Sequence, residues 1–412
     1  MTKTDLLELI ANGENSGVEF KRDDVGPEKL AKEIVALANF QGGRILLGVE
    51  DDGEITGIQR LDLEQWLMTT VFGQTVHPTI LPFYEEVQMG NQLRVGVVTI
   101  SQGVMKPYVV RRRGREDVYI RVGSTSRLAS REQQARLYSI GGTIHTELLP
   151  VSGSSFSDLS LDRLSHYLAN IVGDSELPAT KEQWEMRLCG LGFMVAGPHS
   201  VPLCTIAGLV LFGRAPRRLL RHCGIRWMSF DGTDKDYQAQ DDRLMDGPLV
   251  ALRRTSSAGN MELEENGLIE NLIDAMRPFL SEENIEFDTS ICRELRWHYP
   301  VAALREAIVN ALAHRDWTRR EETEVVRYSN RLEVLSPGAL QNSMTVEKMV
   351  AGQRSARNTL IVDVLRDYGY VESIGMGVRR KIIPLLRDQN GTEPEFIATE
   401  DYLNLVMYQN PR

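Results

Sequence analysis

The sequence predicts a multidomain α+β protein, and three observations carry that expectation. Strand-like alternation and helix-like periodicity take turns along the first 130 or so residues. A Ser/Gly-rich linker at Val151-Ser152-Gly153-Ser154-Ser155 follows, and a second strand-and-helix mixture fills the last 120 or so. At 412 residues the chain has room for two to four domains with ample core. The expected division is an N-terminal mixed α/β domain over 1–140, a helical or mixed connecting region over 151–290, and a C-terminal α/β sandwich over 291–412.

The most informative stretch is Gly13 to Ile58. Val18, Glu19, Phe20 and Lys21 alternate apolar and charged, so a strand here sends Val18 and Phe20 to the core and Glu19 and Lys21 to an outer, charged face. Leu30, Ile34, Leu37 and Ala38 recur at helical spacing behind Gly26-Pro27, a suitable helix start, and the helix ends near Asn39. Gly42-Gly43 breaks it, Ile45 to Val49 reads as a buried strand, and Asp52-Gly53 turns the chain toward Ile55-Thr56-Gly57-Ile58. Glu14, Glu19, Lys21, Glu50 and Asp51 thereby stand at or near strand ends. Two or three carboxylates held in that way beside a lysine can bind divalent cations, which activate water and stabilise charge in phosphodiester cleavage. The plainer alternative is a set of solvated turn residues.

Three motifs in this stretch resemble the Schlafen-type (AlbA-like) domain: Glu14-Asn15-Ser16-Gly17-Val18-Glu19-Phe20-Lys21, Ala36-Leu37-Ala38-Asn39-Phe40-Gln41-Gly42-Gly43, and Gly48-Val49-Glu50-Asp51. The resemblance implies a metal-binding catalytic triad of Glu14, Glu19 and Asp51 that cuts RNA, with Mg²⁺ or Mn²⁺ as the ion and Lys21 as a neighbouring phosphate contact. Glu50 is the alternative to Asp51. Many bacterial relatives of this type are described only as transcriptional regulators or DNA-binding proteins.

Leu93 to Ile100 reads as a further strand, and Tyr108-Val109-Val110 with Val118-Tyr119-Ile120-Arg121-Val122 as a hairpin pair around Gly114. Between Ser101 and Arg131 stand eight basic residues (Lys106, Arg111, Arg112, Arg113, Arg115, Arg121, Arg127, Arg131) against two acidic ones, within a protein whose formal net charge is -10. Such a concentration, with Tyr108 and Tyr119 interleaved, suits contact with a phosphate backbone, and Arg111, Arg112, Arg113, Arg115, Arg121 and Arg127 are the expected nucleic-acid contacts. A charged edge that resists edge-to-edge pairing would look the same. Tyr119 to Arg127 also resembles the Arg-Val-Gly-Ser stretch that closes a Schlafen-type domain.

Past the linker, Leu161, Leu164, Leu168 and Ile171 form one helical stripe, and Trp184, Leu188, Leu191 and Phe193 suggest another. A winged-helix unit or a packing module between functional domains fits these. Thr205 to Gly213 reads as a buried strand, and Leu268, Ile269, Leu272, Ile273, Met276 and Leu280 as a long amphipathic helix facing a core or a dimer seam.

In Tyr299 to Trp317, Leu304, Ala307, Ile308, Ala311 and Leu312 make a buried stripe, while Glu306, Asn310 and His314 fall on successive turns of another face. A carboxylate and a carboxamide four residues apart can activate water and coordinate magnesium over phosphates, although a simple polar helix face reads alike. Leu304 to Asp316, Asn330 to Gly338, Ser355-Ala356-Arg357-Asn358 and Gly369 to Gly377 together resemble the GHKL-type ATPase module that follows Schlafen-type domains in bacterial proteins often labelled RecG-like helicases. The resemblance implies ATP as ligand, Glu306 as water-activating base, Asn310 as magnesium ligand, and Gly338, Gly375 and Gly377 as close-approach points for phosphate. The adenine-reading Asp-x-Gly-x-Gly box of that family is replaced here by Ser336-Pro337-Gly338.

Other classes are excluded. No G-x-x-x-x-G-K-[ST] occurs, which removes a P-loop motor, and His314-Arg315-Asp316 has no following Asp-Phe-Gly, which removes a kinase. Cys189, Cys204, Cys223 and Cys292 form no C-x-x-C pair, and no long apolar run or leader is present, so a reduced cytoplasmic setting fits. The sequence thus leads to a cytoplasmic metal-dependent endonuclease, acting on RNA or tRNA before DNA, governed by an ATP-binding GHKL-like module and acting in antiphage defence or as a toxin. The alternative is an ATP-binding, DNA-binding transcriptional regulator without catalysis. A homodimer or higher homo-oligomer is expected in either case.

Overall fold

In the computed structural model the chain forms two compact units, Met1–Ile144 and His145–Arg412. The structure describes residues 1–90, 93–142, 145–197, 201–255, 261–284, 294–341, 344–353, 355–371 and 377–410.

The first unit is built on a mixed four-stranded sheet. Its strands are β1 (Val18–Lys21), β2 (Gly42–Leu47), β4 (Phe83–Gln88) and β5 (Arg94–Ser101), in the order β1-β2-β5-β4. β1 and β2 run parallel because the helix α2 (Pro27–Asn39) crosses between them, whereas β2, β5 and β4 are antiparallel. α2 starts with Pro27 in its first turn and buries Leu30, Ile34, Leu37 and Ala38 against Ile45, Leu47, Val98 and Ile100. The other sheet face carries Val18, Phe20, Leu46, Val95 and Val97, which pack with Leu6 of α1 (Lys3–Ala11). Both faces of β1 are therefore covered, and the expected outer charged face is an inner one: Glu19 is buried, on the α2 side. A short strand β3 (Val76–His77) pairs with β6 (Val109–Arg112), which pairs in turn with β7 (Arg115–Asp117). The hairpin around Gly114 is thus β6–β7, and Tyr119–Val122 (β8) makes a separate hairpin with Thr125–Leu128 (β9) rather than with Val109 and Val110.

In the second unit one six-stranded sheet takes the strands 241–245, 225–229, 323–327, 331–337, 402–408 and 395–398, in that spatial order. Ile225–Ser229 lies parallel to Thr323–Arg327, and the other neighbours are antiparallel. This pairing corrects the division expected at 290/291, because strands from the connecting region and from the C-terminal module belong to the same sheet. They also share one apolar core that runs from Val151 to Met407. Leu268–Leu280 is a helix as expected, and its stripe is core: Leu268, Ile269, Leu272, Met276 and Leu280 are all buried. Thr205–Gly213 is corrected from strand to helix, since Ile206–Phe212 is helical, buried throughout and capped by the Thr205 hydroxyl, which accepts from the Gly208 N–H at 3.1 Å. A seven-residue apolar run buried on all sides has no periodicity to distinguish the two forms. The sheet and its packed helices make the α/β sandwich that the sequence predicts, within a multidomain α+β chain.

Candidate functional site

The acidic residues of the first unit converge on Lys21. Its Nζ lies 2.5 Å from Glu19 Oε1 and 3.9 Å from Glu14 Oε1, and donates to the Phe20 carbonyl at 2.7 Å. The Glu14 carboxylate also accepts the Phe20 N–H at 2.8 Å. Across from Lys21, Arg121 Nη1 stands 2.7 Å from Glu19 Oε2 and 3.1 Å from Glu33 Oε2, a charge contact to Glu19 without hydrogen-bond geometry. Arg121 Nη2 donates to the Asn15 carbonyl at 2.8 Å, and Ser126 Oγ bonds to Glu33. Burial raises the Glu14 pKa above its ordinary value against the opposing Phe20 N–H, with the charges of Glu19 and Asp51 adding to the rise. Burial works to lower the Lys21 pKa, but the Glu19 hydrogen bond and the charges of Glu19, Glu14 and Glu33 raise it on balance.

Glu14 and Glu19 are thus brought together as expected, with Asp51 exposed on the next turn and close enough for its charge to act on Glu14. Glu50 faces Arg22 at 3.6 Å. The arrangement does not fit a divalent cation: each oxygen of Glu19 already faces a protein cation, and among the described residues no group of three ligating side chains is positioned to hold a metal. Arg121 is corrected from nucleic-acid contact to internal counter-ion, its side chain being wholly buried. Lys106 is likewise turned inward, donating to the Phe40 carbonyl at 2.8 Å.

The remaining arginines crowd the β6–β7 hairpin. Its two-residue loop places Arg113 at φ 44° and Gly114 at φ 78°, the left-handed pair that a tight hairpin turn requires, so Arg113 projects at the tip. Arg111, Arg112, Arg113, Arg115 and Arg127 are all exposed. Arg111 is engaged by Glu116 at 2.7 Å and Arg112 by Glu28 at 2.8 Å; among the described residues no carboxylate pairs with Arg113, Arg115 or Arg127. Tyr108 is core, and Tyr119 is half-buried with Lys32 Nζ 5.9 Å from its ring centre.

In the second unit the helix Val301–Ala313 carries Glu306 and Asn310 into a cavity of about 320 Å³. Asn310 Nδ2 donates to Glu306 Oε1 at 3.1 Å, and Lys381 Nζ lies 3.7 Å from Glu306 Oε2. Gly338 and Gly377 line the same cavity, and both are close-approach points: a Cβ at Gly377 would overlap the Glu306 carboxylate, and one at Gly338, whose φ is +117°, would meet Arg357 and Asp316. Gly375 lies outside the described residues. Apolar side chains such as Val334, Met344, Ile382 and Leu405 make up much of the remaining wall, and His314 also lines it.

Arg357 received no role from the sequence, yet its buried guanidinium belongs to this wall, donates from Nη2 to the Ala339 carbonyl at 2.7 Å, and faces Asp316 at 3.5 Å. Asn358 beside it is structural: its Nδ2 donates to the carbonyls of Ala313 and Arg315 at 2.9 and 2.8 Å and fastens the end of the Glu306 helix. The signal for both was the motif Ser355-Ala356-Arg357-Asn358, but its spacing alone does not distinguish a wall residue from a clamp.

Comparison with known proteins places a name on each part. Residues 14–130 match the family model described as "Schlafen, AlbA_2", and residues 321–407 match "Putative ATP-dependent DNA helicase recG C-terminal". No curated protein matches the chain. Among solved structures, the DIP2311 protein from Corynebacterium diphtheriae is 20% identical, covering 99% of this chain and 80% of its own, with a TM-score of 0.43. The N-terminal domain of a "Putative ATP-dependent DNA Helicase RecG-related Protein" from Nitrosomonas europaea is 24% identical, covering 32% of this chain and 93% of its own, with a TM-score of 0.25. Likenesses this distant carry no argument about function. The two family matches do: the first points to nucleic-acid binding and the second to nucleotide binding. Among the described residues no helix is long and apolar enough to cross a membrane.

Proposed function

From a chain that joins a Schlafen/AlbA_2 domain to a recG C-terminal ATPase-like module, we propose a nucleic-acid-binding regulator whose second unit takes a purine nucleotide, with ATP as the first ligand to test. The observation that carries this reading is the neutralisation of Glu19 by Lys21 and Arg121, set beside exposed arginines on the hairpin. Carboxylates already paired with protein cations are poor ligands for a further cation. Exposed arginines without carboxylate partners, by contrast, are ready to exchange counter-ions for phosphates. In the cavity, Asn310 is the residue to face a nucleotide-bound magnesium ion, Glu306 to orient water, and Gly338 and Gly377 to admit phosphate close to the backbone. When bound, magnesium would offset phosphate charge.

A second reading, the metal-dependent endonuclease of RNA, is favoured by one observation: Glu14 and Glu19 both approach the same Lys21 Nζ, so a single displacement of that side chain would leave two carboxylates facing one point. Roles in antiphage defence or as a toxin belong to this second reading, and a homodimer or higher homo-oligomer goes with either. Incubating the full chain with tRNA, single-stranded RNA and duplex DNA in Mn²⁺ or Mg²⁺ separates the two readings. Binding without cleavage is the expected result; cleavage lost in Glu14→Gln, Glu19→Gln and Asp51→Asn would replace the regulator by the nuclease.

A further inference from the structure

The hairpin arginines differ in a way that the count of positive charge conceals. Arg111 lies directly opposite Glu116 across the β6–β7 ladder, and Arg112 directly opposite Arg115. Residues directly opposite on paired strands project from the same face, and successive residues from alternate faces. One face of the hairpin therefore carries Arg111 with Glu116, a pair that neutralises itself at 2.7 Å. The other face carries two guanidiniums side by side at the tip, with the half-buried Asp117 one step further from it, opposite Val110.

Like charges directly opposed across a ladder destabilise it. The first turn of α2 reduces that cost with Glu28, whose Oε1 sits 2.8 Å from Arg112 Nε, while among the described residues Arg115 has no carboxylate partner. Both members of the Glu28–Arg112 pair are about half exposed, so water and ions reach it. A pair of opposed guanidiniums, one held by a borrowed carboxylate and one open, is an anion site that its own protein half-fills.

We propose that the Arg112/Arg115 face of the hairpin is where this protein grips a phosphodiester backbone, with Glu28 as a resident stand-in that the phosphate displaces, and that the Arg111/Glu116 face takes no part. The proposal rests on the nucleic-acid-binding reading and narrows it to one face and one competing residue. In the exchange Arg112 passes from a carboxylate to a phosphate oxygen, the Glu28 carboxylate swings back into solvent, and Arg115 gains an anionic partner.

The test is a fluorescence-anisotropy titration of the full chain with a short labelled DNA duplex and an RNA strand of equal length, across about 50 to 200 mM salt. Arg112→Gln and Arg115→Gln should each weaken binding about tenfold at the low end and reduce the salt slope by about 1, since each removes one phosphate contact. Arg111→Gln should stay within about twofold of the unmodified protein, because an exposed pair that cancels itself contributes little. Glu28→Gln should tighten binding about threefold, the size of effect that one exposed ion pair supports, and no loss of folding can imitate a gain. Equal losses from Arg111→Gln and Arg112→Gln, or no tightening from Glu28→Gln, would overturn the assignment of faces. If the unmodified protein binds neither probe, the nucleic-acid reading itself fails, which is a different result from binding without face preference.

Discussion

The acidic network of the first unit and the cavity of the second both present a buried carboxylate to a lysine, yet they are built to opposite ends. Around Glu19 the protein supplies its own cations on two sides, Lys21 at 2.5 Å and Arg121 at 2.7 Å, and leaves little there for a ligand to neutralise. Around Glu306 the nearest lysine stands off at 3.7 Å, the neighbour is a carboxamide, and about 320 Å³ of mostly apolar space adjoins. Charge paired at contact distance on both sides holds a fold together, whereas charge on the wall of a cavity leaves room for a ligand beside it.

The largest effect expected from this contrast is Arg121→Ala. Truncation leaves Glu19 and Glu33 inside the first unit with Lys21, Ser126 and, at 3.6 Å from Glu33, Lys32 in support, and removing one partner of a buried ion pair costs about 3–5 kcal/mol. Chemical denaturation of the full chain should show the first transition moving to much lower denaturant. A loss below about 1 kcal/mol, the range of an exposed pair, would mean that the network is not the internal support its burial indicates.

Next in size is the response of the second unit to nucleotide. A ligand present at about a hundred times its Kd stabilises the folded state by about 2.7 kcal/mol, readily seen as a rise in Tm. Asn310→Ala should remove that rise, while Glu306→Ala keeps it and stops any turnover. Gly377→Ala should also remove it, because the added methyl takes the space in which phosphate would approach the backbone, while the flexible end of the Glu306 side chain that it meets can move aside and let the fold survive. If millimolar ATP with Mg²⁺ leaves the unmodified protein's Tm unchanged, the cavity is scaffold and the contrast with the first unit disappears.

Lys21→Met probes the same contrast from the other side. Losing a hydrogen bond to a charged partner costs about 1.5–3 kcal/mol, and the variant then lacks the cation between Glu14 and Glu19. Mn²⁺ should raise the Tm of the variant and leave that of the unmodified protein alone, making the N-terminal site resemble the C-terminal one. Equal shifts in both proteins would show that Lys21 does not exclude cations.

Much of this contrast was legible in the sequence, and the reason for what was not is distance along the chain. The helix Pro27–Asn39 and the strands on either side followed from period and from Gly and Pro punctuation, and the spacing of Glu14, Glu19 and Lys21 sufficed to bring them together. Arg121 was misread because one arginine in an alternating strand looks solvated. Its partners Glu19 and Glu33 stand roughly ninety or more positions earlier, and only the packing of β8 on α2 reveals them. The boundary at 290/291 failed for the same reason: Ile225–Ser229 pairs with Thr323–Arg327, a parallel contact that no local pattern announces. In the cavity, Glu306 and Asn310 were legible as neighbours one helical turn apart, whereas Arg357 arrives from a different segment.

The smallest expected effect lies in the pH dependence of Glu14. Burial foremost, then the charges of Glu19 and Asp51, hold its pKa above the ordinary 4.5, outweighing the Phe20 N–H and Lys21. A carboxyl whose folded pKa exceeds its unfolded value contributes stability below the unfolded value and loses that contribution as pH rises through the folded one. Between about pH 4 and pH 7 the first unit should therefore lose a little stability through Glu14 alone. Lys21 does not confuse the measurement: its pKa is raised from 10.5, so its contribution is complete throughout that window and fades only in alkali. Glu14→Gln should differ least from the unmodified protein at the acid end of that window, where protonation makes the two side chains most alike, and exceed it slightly at pH 7. Asp51→Asn should move the Glu14 midpoint down, since it deletes one of the charges that raises it. A Glu14→Gln variant less stable than the unmodified protein at pH 7 would instead mean that the Phe20 N–H and Lys21 outweigh burial, and that the network needs all of its charges ionised.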